Sequence, residues 1–397
     1  MIRHIIKLIW NRKRSLAWIF IEQVLVFGIL LLCFTNAVES VTRHFSKGNI
    51  NLDNIAIINV IPFDKNSLDD EEDKEGYYAQ INTILERVKN WPSVELISIN
   101  GQGAVPTMGS HKVDTISFNE RRFGAYIKYC DENYPRVFPI KITEGQWFRN
   151  ADASLEISSA LITQRLAERM GFTGSAIGQT VHFNGRVYRI AGIVEALKDR
   201  PEEEAQAAMF IPYLSYTDVE GNMSYAVKFK SGMYPEFAKA YIEEFYRYFP
   251  RDQYMPMLAI LSQMSGMLGF FSLIKVYMLG IPTAFLLIFA FMGTFGVIWV
   301  QSKKRMGELG LRIALGCTPA RLMRTIILEN LILTSFAMLP GLIVIAGLYA
   351  YSLSGWEWMA AVGAAIVMMW LFSAVSAWYP ARQAAKVQPV EALKANQ

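Results

Sequence analysis

Apolar and polar positions follow two different patterns along this chain. Four long uncharged runs occupy residues 15–38 (interrupted only by Glu22), 276–302, 330–356 and 358–381. As helices, each is long enough to cross a hydrocarbon core of about 30 Å, which takes roughly 20 apolar residues. Residues 39–275 have ordinary mixed composition. The pattern predicts a membrane protein of four transmembrane α-helices with one large extracytoplasmic α/β domain between the first and second. Spans are placed at 15–38, 273–301, 325–350 and 357–379. They leave a terminal segment 1–14, the large domain 39–272, a loop 302–324, a short link 351–356 and a tail 380–397.

Within the large domain the periodicity alternates between helix and strand. Residues 54–61 and 94–99 read as strands. Helical spacing over 77–90 puts Ile81, Ile84, Leu85 and Val88 on one face, and Trp91-Pro92 ends it. An acidic stretch before it (Asp69, Asp70, Glu71, Glu72, Asp73) reads as a solvated loop. Residues 158–170 read as a second helix closed by Gly171. Residues 181–194 form the clearest hairpin, with Asn184-Gly185 between apolar alternations favouring a two-residue type I′ turn. Residues 208–211 and 225–229 read as strands. Pro235 opens a last helix through Phe249, its fixed φ suited to a first helical position. The mixture suggests an α/β fold in two lobes, with 101–110 as a junction. The methionine- and glycine-rich stretch 262–275 then leads into the second span. It forms either one continuous rod with the span or a helix broken at Gly280 and Pro282.

Charge placement orients the spans. Hydrophobic residues make up 52% of the chain and charged residues 19%, with a net charge of +4. Arg3, Lys7, Arg12, Lys13 and Arg14 precede the first span. Lys303, Lys304, Arg305, Arg312, Arg321 and Arg324 lie between the second and third, and Arg382, Lys386 and Lys394 follow the fourth. The link between spans three and four has no Lys or Arg. Basic residues favour the cytoplasmic side, so both termini are expected in the cytoplasm and the large domain outside. The start of the chain also fits a cleaved signal with Ala37 near the cleavage site, but the apolar run is longer than a signal core, which favours a retained anchor. Residues 1–14 fit an amphipathic helix on the bilayer or a simple topogenic flank. The basic runs are short and abut spans, so the lipid bilayer and not nucleic acid is their expected partner.

No constellation for chemistry emerges. His4, His44, His111 and His182 are scattered without metal-ligand spacing, and Cys33, Cys130 and Cys317 fall in the membrane, outside and inside. Residues 171–180 (GFTGSAIGQT) lack the lysine of a phosphate loop. The expectation is a non-catalytic membrane subunit with no cofactor and no metal. Two acidic residues fall in spans, Glu22 and Glu329. Such a group is costly in lipid, so Glu22 is expected to face other protein or reach the interface.

The stretch 303–320 (KKRMGELGLRIALGCTPA) alternates charge and apolar positions, as a short amphipathic helix on the membrane face would. It resembles the loop after the second span in MacB/FtsX-type permeases of ABC transporters, matching at Arg305, Glu308, Leu309, Gly310, Leu311, Arg312, Ala314, Leu315 and Gly316. Glu329 matches a glutamate often found at the start of the third span. The tail PARQAAKVQPVEALKAN is similar to the family's ending. Glu144–Phe148, Ile177-Gly178-Gln179 and Ile190–Val194 look like its periplasmic core domain. Cys317 departs from the pattern, standing where a small alanine is usual.

The resemblance implies a permease that dimerises and docks an ABC ATPase subunit through this loop, with ATP on that partner and none on this chain. Only residues 1–14 precede the first span, which implies a separate nucleotide-binding subunit. ATP-driven closure would move the outer domain to expel or extract a substrate. Arg305, Glu308, Gly310, Arg312 and Gly316 are the implied coupling residues, and the cell inner membrane is the implied location. The arginines could instead anchor to anionic lipid. The resemblance leaves open whether the second protomer is identical and whether a periplasmic adaptor joins. A second reading is a signalling or scaffold protein that activates an external partner without transport.

Overall fold

A computed structural model of the chain describes residues 13–64, 71–101, 103–107, 113–201, 203–213, 223–351 and 356–385. It divides into a membrane unit (residues 1–42 and 273–397) and a large inserted domain (residues 43–272).

The membrane unit is built from four helices long and apolar enough to span: α1 (Lys13–Phe45), α6 (Leu261–Lys304), α8 (Pro319–Tyr351) and α9 (Trp356–Ala384), with the short α7 (Met306–Ala314) between α6 and α8. All four run longer than the uncharged stretches that announced them, because a helix need not stop where its lipid-facing section does. α6 is unbroken through Gly280 and Pro282, so the continuous alternative holds. The Thr283 hydroxyl donates to the Leu279 carbonyl at 2.7 Å beside the proline, and Cys33 Sγ lies 2.9 Å from that hydroxyl. Phe27, Leu30 and Leu31 of α1 pack with Ala290, Met338, Ala365 and Met369 of the other three. Small residues let these backbones approach: a Cβ on Gly341 would lie 2.9 Å from the Phe27 ring. One set of polar groups is paired across α8 and α9, where lipid offers no partner. Asn330 Nδ2 donates to Ser373 Oγ at 2.8 Å, and Ser373 Oγ is also 2.8 Å from Thr334 Oγ1.

The inserted domain holds an eleven-stranded sheet system in two lobes. The first lobe contains β1 (Ile55–Pro62), α2 (Glu71–Val88), β2 (Val94–Asn100), β10 (Ser224–Phe229), α5 (Tyr234–Tyr248) and β11 (Tyr254–Ile260). Its strands run antiparallel in the order β11-β1-β10-β2, a split β-α-β arrangement. Along β1, Ala56, Ile58 and Val60 face one way, under α2 and α5. Ile55 and Ile57 face a separate central core, as strand alternation requires. Glu71, Glu72 and Asp73, read from the sequence as loop, open α2 instead.

The second lobe contains β3 (Val113–Phe118), β4 (Arg121–Cys130), the short α3 (Tyr134–Val137), β5 (Ile142–Gly145), β6 (Ile157–Thr163), α4 (Gln164–Arg169), β7 (Thr180–Phe183), β8 (Arg186–Val194) and β9 (Ala208–Pro212). Pairings β4–β3–β7–β8–β6–β9–β4 complete a circuit, closed by the parallel β4–β9 ladder. Ile116, Ile127, Ile162, Val181, Ile190 and Met209 fill its inside. The Asn184-Gly185 turn has φ of 47° and 75°, both positive as the sequence required.

The helix expected over 158–170 is corrected: its first half is β6 and only its second half is α4. β6 is sheathed by β8 on one side and β9 on the other. Its second half, residues 160–163, is buried on both faces, and such a run has no period to separate it from a buried helix. Thr163 marks the change by capping Leu166 N–H.

The lobes meet at Asp131, just past β4. Its carboxylate accepts from Ser98 Oγ at 2.7 Å, Ile99 N at 2.9 Å and Asn133 N at 3.1 Å. Burial pushes this carboxyl above the ordinary aspartate range, against the pull of those bonds. The junction read over 101–110 falls partly outside the described residues; its described part carries Ala104 and Val105 into the central core.

β5 depends on one glycine. Gly145 has φ +75°, and a Cβ there would sit 2.0 Å from the Ala191 carbonyl oxygen on β8. Gly145→Ala is expected to destabilise the inserted domain by about 3 kcal/mol, combining a disfavoured φ with overpacking. That corresponds to a drop of roughly 6–12 °C in melting midpoint for a domain of this size. Thermal unfolding of the purified chain in detergent checks it; an unchanged midpoint overturns it.

Candidate functional site

The turn from α6 into α8 gathers most of the residues the sequence singled out. α6 ends on Lys303 and Lys304, cations suited to the negative end of its dipole. The Lys303 ammonium also lies 5.4 Å from the centre of the Trp299 ring. Arg305 leaves helical geometry at φ −99°, ψ 7° and becomes the residue before α7. Glu308 in the first turn of α7 and Arg312 in its last suit the dipole of that helix. They stand four apart in the favoured acid-first order.

Gly316 stops α7. At φ +91° it adopts a left-handed conformation that glycine takes without strain. Its N–H donates to Ile313 O at 2.9 Å, and Cys317 N–H reaches back to Arg312 O at 2.9 Å, the paired bonds of a Schellman stop. Pro319 then begins α8, where its missing N–H costs nothing. Gly316, implied by the resemblance as a coupling residue, thus has a conformational task. Gly310 is buried on the underside of α7.

The four charged residues form one network. Arg305 makes a bidentate pair with Glu329 on α8, Nη1 to Oε2 at 2.7 Å and Nη2 to Oε1 at 3.4 Å. Its Nε also reaches Glu308 Oε2 at 3.4 Å, and Glu308 Oε1 accepts from Arg312 Nη2 at 2.7 Å. Two positive and two negative groups balance. Arg305 and Glu329 are the buried pair, 12% and 17% exposed, against 36% and 33% for Glu308 and Arg312. Burial opposes the Arg305 charge, but Glu329 and Glu308 outweigh it and hold the guanidinium above its ordinary value.

Apolar packing seats α7 over the same place. Leu309, 2% exposed, packs with Ile298 of α6, Leu322 and Ile326 of α8, and Ala377, Ala381 and Ala384 of α9. On the other side Leu311 is 53% exposed and Leu315, just past the helix, 79%. The arrangement is a short helix pinned to three spans by one leucine and one arginine, presenting an apolar ridge outward. Glu22, the other acidic residue selected, is not part of it. Its carboxylate lies against Gly293 of α6, where an added Cβ would be 2.6 Å from Oε1, so it faces protein. The sequence reading missed the Asn330–Thr334–Ser373 knot; Asn330 and Thr334 at i, i+4 in an apolar span were the available signal.

The comparisons agree with this architecture. The family described as MacB-like periplasmic core domain matches residues 25–245, and the FtsX-like permease C-terminal matches residues 280–389. The chain belongs to the MacB/FtsX-type permeases of ABC transporters. It is 22% identical over 288 residues to an uncharacterized ABC transporter permease, YknZ of Bacillus subtilis (strain 168), covering 70% of this chain and 72% of YknZ. It is 22% identical over 316 residues to the macrolide export ATP-binding/permease protein MacB of Pasteurella multocida (strain Pm70), covering 74% of this chain and 46% of MacB. Against the pyoverdine export ATP-binding/permease protein PvdT of Pseudomonas fluorescens the identity is 21%, with 46% of PvdT covered. The chain therefore spans under half the length of these two ATP-binding/permease relatives. The solved periplasmic region of MacB from Actinobacillus actinomycetemcomitans matches at 14% identity and TM-score 0.37, covering 52% of this chain and 88% of that one.

Removing one member of the buried pair leaves the other charge without its main partner. Arg305→Met is expected to cost about 3–5 kcal/mol, and Arg305→Met/Glu329→Leu to regain most of it. Melting of both variants in detergent provides the check. Equal loss in single and double variants would refute the pairing.

Proposed function

We propose that this chain is the membrane subunit of an ABC transporter that dimerises and docks a separate ATPase through α7. It then transmits ATP-driven motion to its core domain, which expels or extracts a substrate. The observation that carries the reading is the pose of α7. Its charges are satisfied largely within the chain, its underside is buried, and Leu311 and Leu315 remain as an exposed apolar ridge at a membrane boundary. Exposed apolar residues of this kind mark interaction sites. The ion network then fixes the angle of α7, and the leucines with the outer edge of Arg312 meet the partner. On this reading Arg305 and Glu308, implied as coupling residues, act through the pose of α7.

ATP hydrolysis is assigned to a partner because ABC transporter permeases, to which this chain is similar, imply an ATPase. The names of MacB and PvdT join ATP binding and permease in one protein, and the family models that match this chain describe a periplasmic core domain and a permease C-terminal segment. The location proposed is the inner membrane, with both termini and α7 on the cytoplasmic face, following the positive-inside rule. The macrolide and pyoverdine of the relatives' names belong to those proteins, and no cargo is assigned here.

Two experiments test the reading. Leu311→Glu/Leu315→Glu is expected to reduce co-purification with a co-expressed cognate ATPase at least tenfold while leaving the melting midpoint unchanged. Retained co-purification would remove α7 as the docking element. Orientation is tested with Cys317, which is partly exposed at the α7–α8 turn while Cys130 is buried. An impermeant maleimide is expected to label Cys317 only after spheroplasts are opened; labelling in intact spheroplasts reverses the topology.

A further inference from the structure

Residues 195–206, between β8 and β9, carry two adjacent buried charges of opposite sign. Lys198 is 2% exposed and Asp199 3%. They reach in different directions. Lys198 Nζ donates to the Arg43 carbonyl, to Ser46 O at 3.1 Å and to Pro201 O at 3.4 Å, and its backbone N–H donates to Gly48 O at 3.0 Å. Arg43 lies in the last turn of α1. A helix leaves its final carbonyls without intrahelical partners, and a cation there complements the dipole. Lys198 is thus a cap for the helix of the first span, supplied from 155 residues further along the chain.

Asp199 reaches the other way. Its Oδ1 pairs with Lys128 Nζ on β4 at 3.3 Å, and its Oδ2 accepts from Gln206 Nε2 at 2.9 Å. Lys128 is also fully buried and donates to Gly103 O at 2.6 Å, in the segment after β2. Leu197, immediately before them, sits in the central core together with Leu261, the first residue of α6. Further contacts reinforce the α1 side. Glu204 joins Arg43 at 3.0 Å and also binds Arg165 of α4. Gly48, at φ +110°, leaves only 3.2 Å between an added Cβ and Lys198 Cγ.

A buried ion pair is a poor source of net stability, since apolar side chains of the same volume often serve as well or better. Several such groups on one short loop, holding a helix end and a strand, point to a geometric task. We propose that Lys198 and Asp199 are positioning residues that form a clasp between the end of α1 and the barrel lobe. Displacement of α1 is passed through them to β4 and to the lobe junction. This rests on the reading above, in which movement of the spans reaches the core domain.

The test uses the full chain with its ATPase in nanodiscs. A spin label at exposed position 186 (Arg186→Cys, with Cys317→Ala) reports the distance between the barrel lobes of the two protomers. ATP is expected to change this distance in the wild type. Lys198→Met is expected to cut that change by at least half while ATP hydrolysis stays within twofold. A full-size change in Lys198→Met overturns the clasp. No change in the wild type overturns the functional reading instead, and amide exchange of the full chain then decides the clasp. Lys198→Met and Asp199→Asn are each expected to speed exchange at least tenfold in both 43–48 and 103–107, with α5 unchanged. Faster exchange confined to the side that lost its bond overturns the clasp. Lys128→Met/Asp199→Leu covers misfolding of a single variant: it is expected to keep the wild-type melting midpoint and still lose the movement, and a retained movement overturns the clasp.

Discussion

The pairing of Arg305 with Glu329 is the interaction on which the turn from α6 into α8 depends. A buried guanidinium beside a bilayer needs a full-strength acceptor, and a carboxylate on a span needs a donor. Each supplies the other, bidentate, across the reversal from α6 to α8. With that bond in place, Glu308 and Arg312 close a neutral network and Leu309 drops among the ends of three spans. α7 is then held by charge on one flank and apolar contact beneath, and its pose against the spans is fixed. What it offers outward is apolar, because its charges are largely spent inward.

The same economy of polar groups governs the spans. Asn330, Thr334 and Ser373 satisfy one another between α8 and α9. Glu22 fits where Gly293 leaves room. Lipid provides no hydrogen-bond partner, so helix association here combines small residues, close backbones and a few reciprocal polar contacts.

In the core domain the burial problem is solved by layers. The first lobe lays two helices on one face of a four-stranded sheet and gives the other face to a central core. The barrel lobe closes its strands into a circuit and leaves few edges. Asp131 ties β2 to β4 at the seam. Lys198 and Asp199 gather the end of α1 and the barrel onto one loop.

The sequence by itself determined the four spans, the basic-side bias and the position of the large domain, because a bilayer imposes one uniform demand on twenty consecutive residues. It also determined what local chemistry controls: the Asn184-Gly185 turn, the Pro235 helix start and the motif from Arg305 to Gly316. Tertiary structure alone decided that residues 157–163 are a strand, since burial of residues 160–163 on both faces erases periodicity. It alone joined Arg305 to Glu329, Lys198 to the end of α1 and β4 to β9. Those partners lie far apart along the chain, and no local pattern records which distant group will arrive to satisfy a buried charge or an open strand edge.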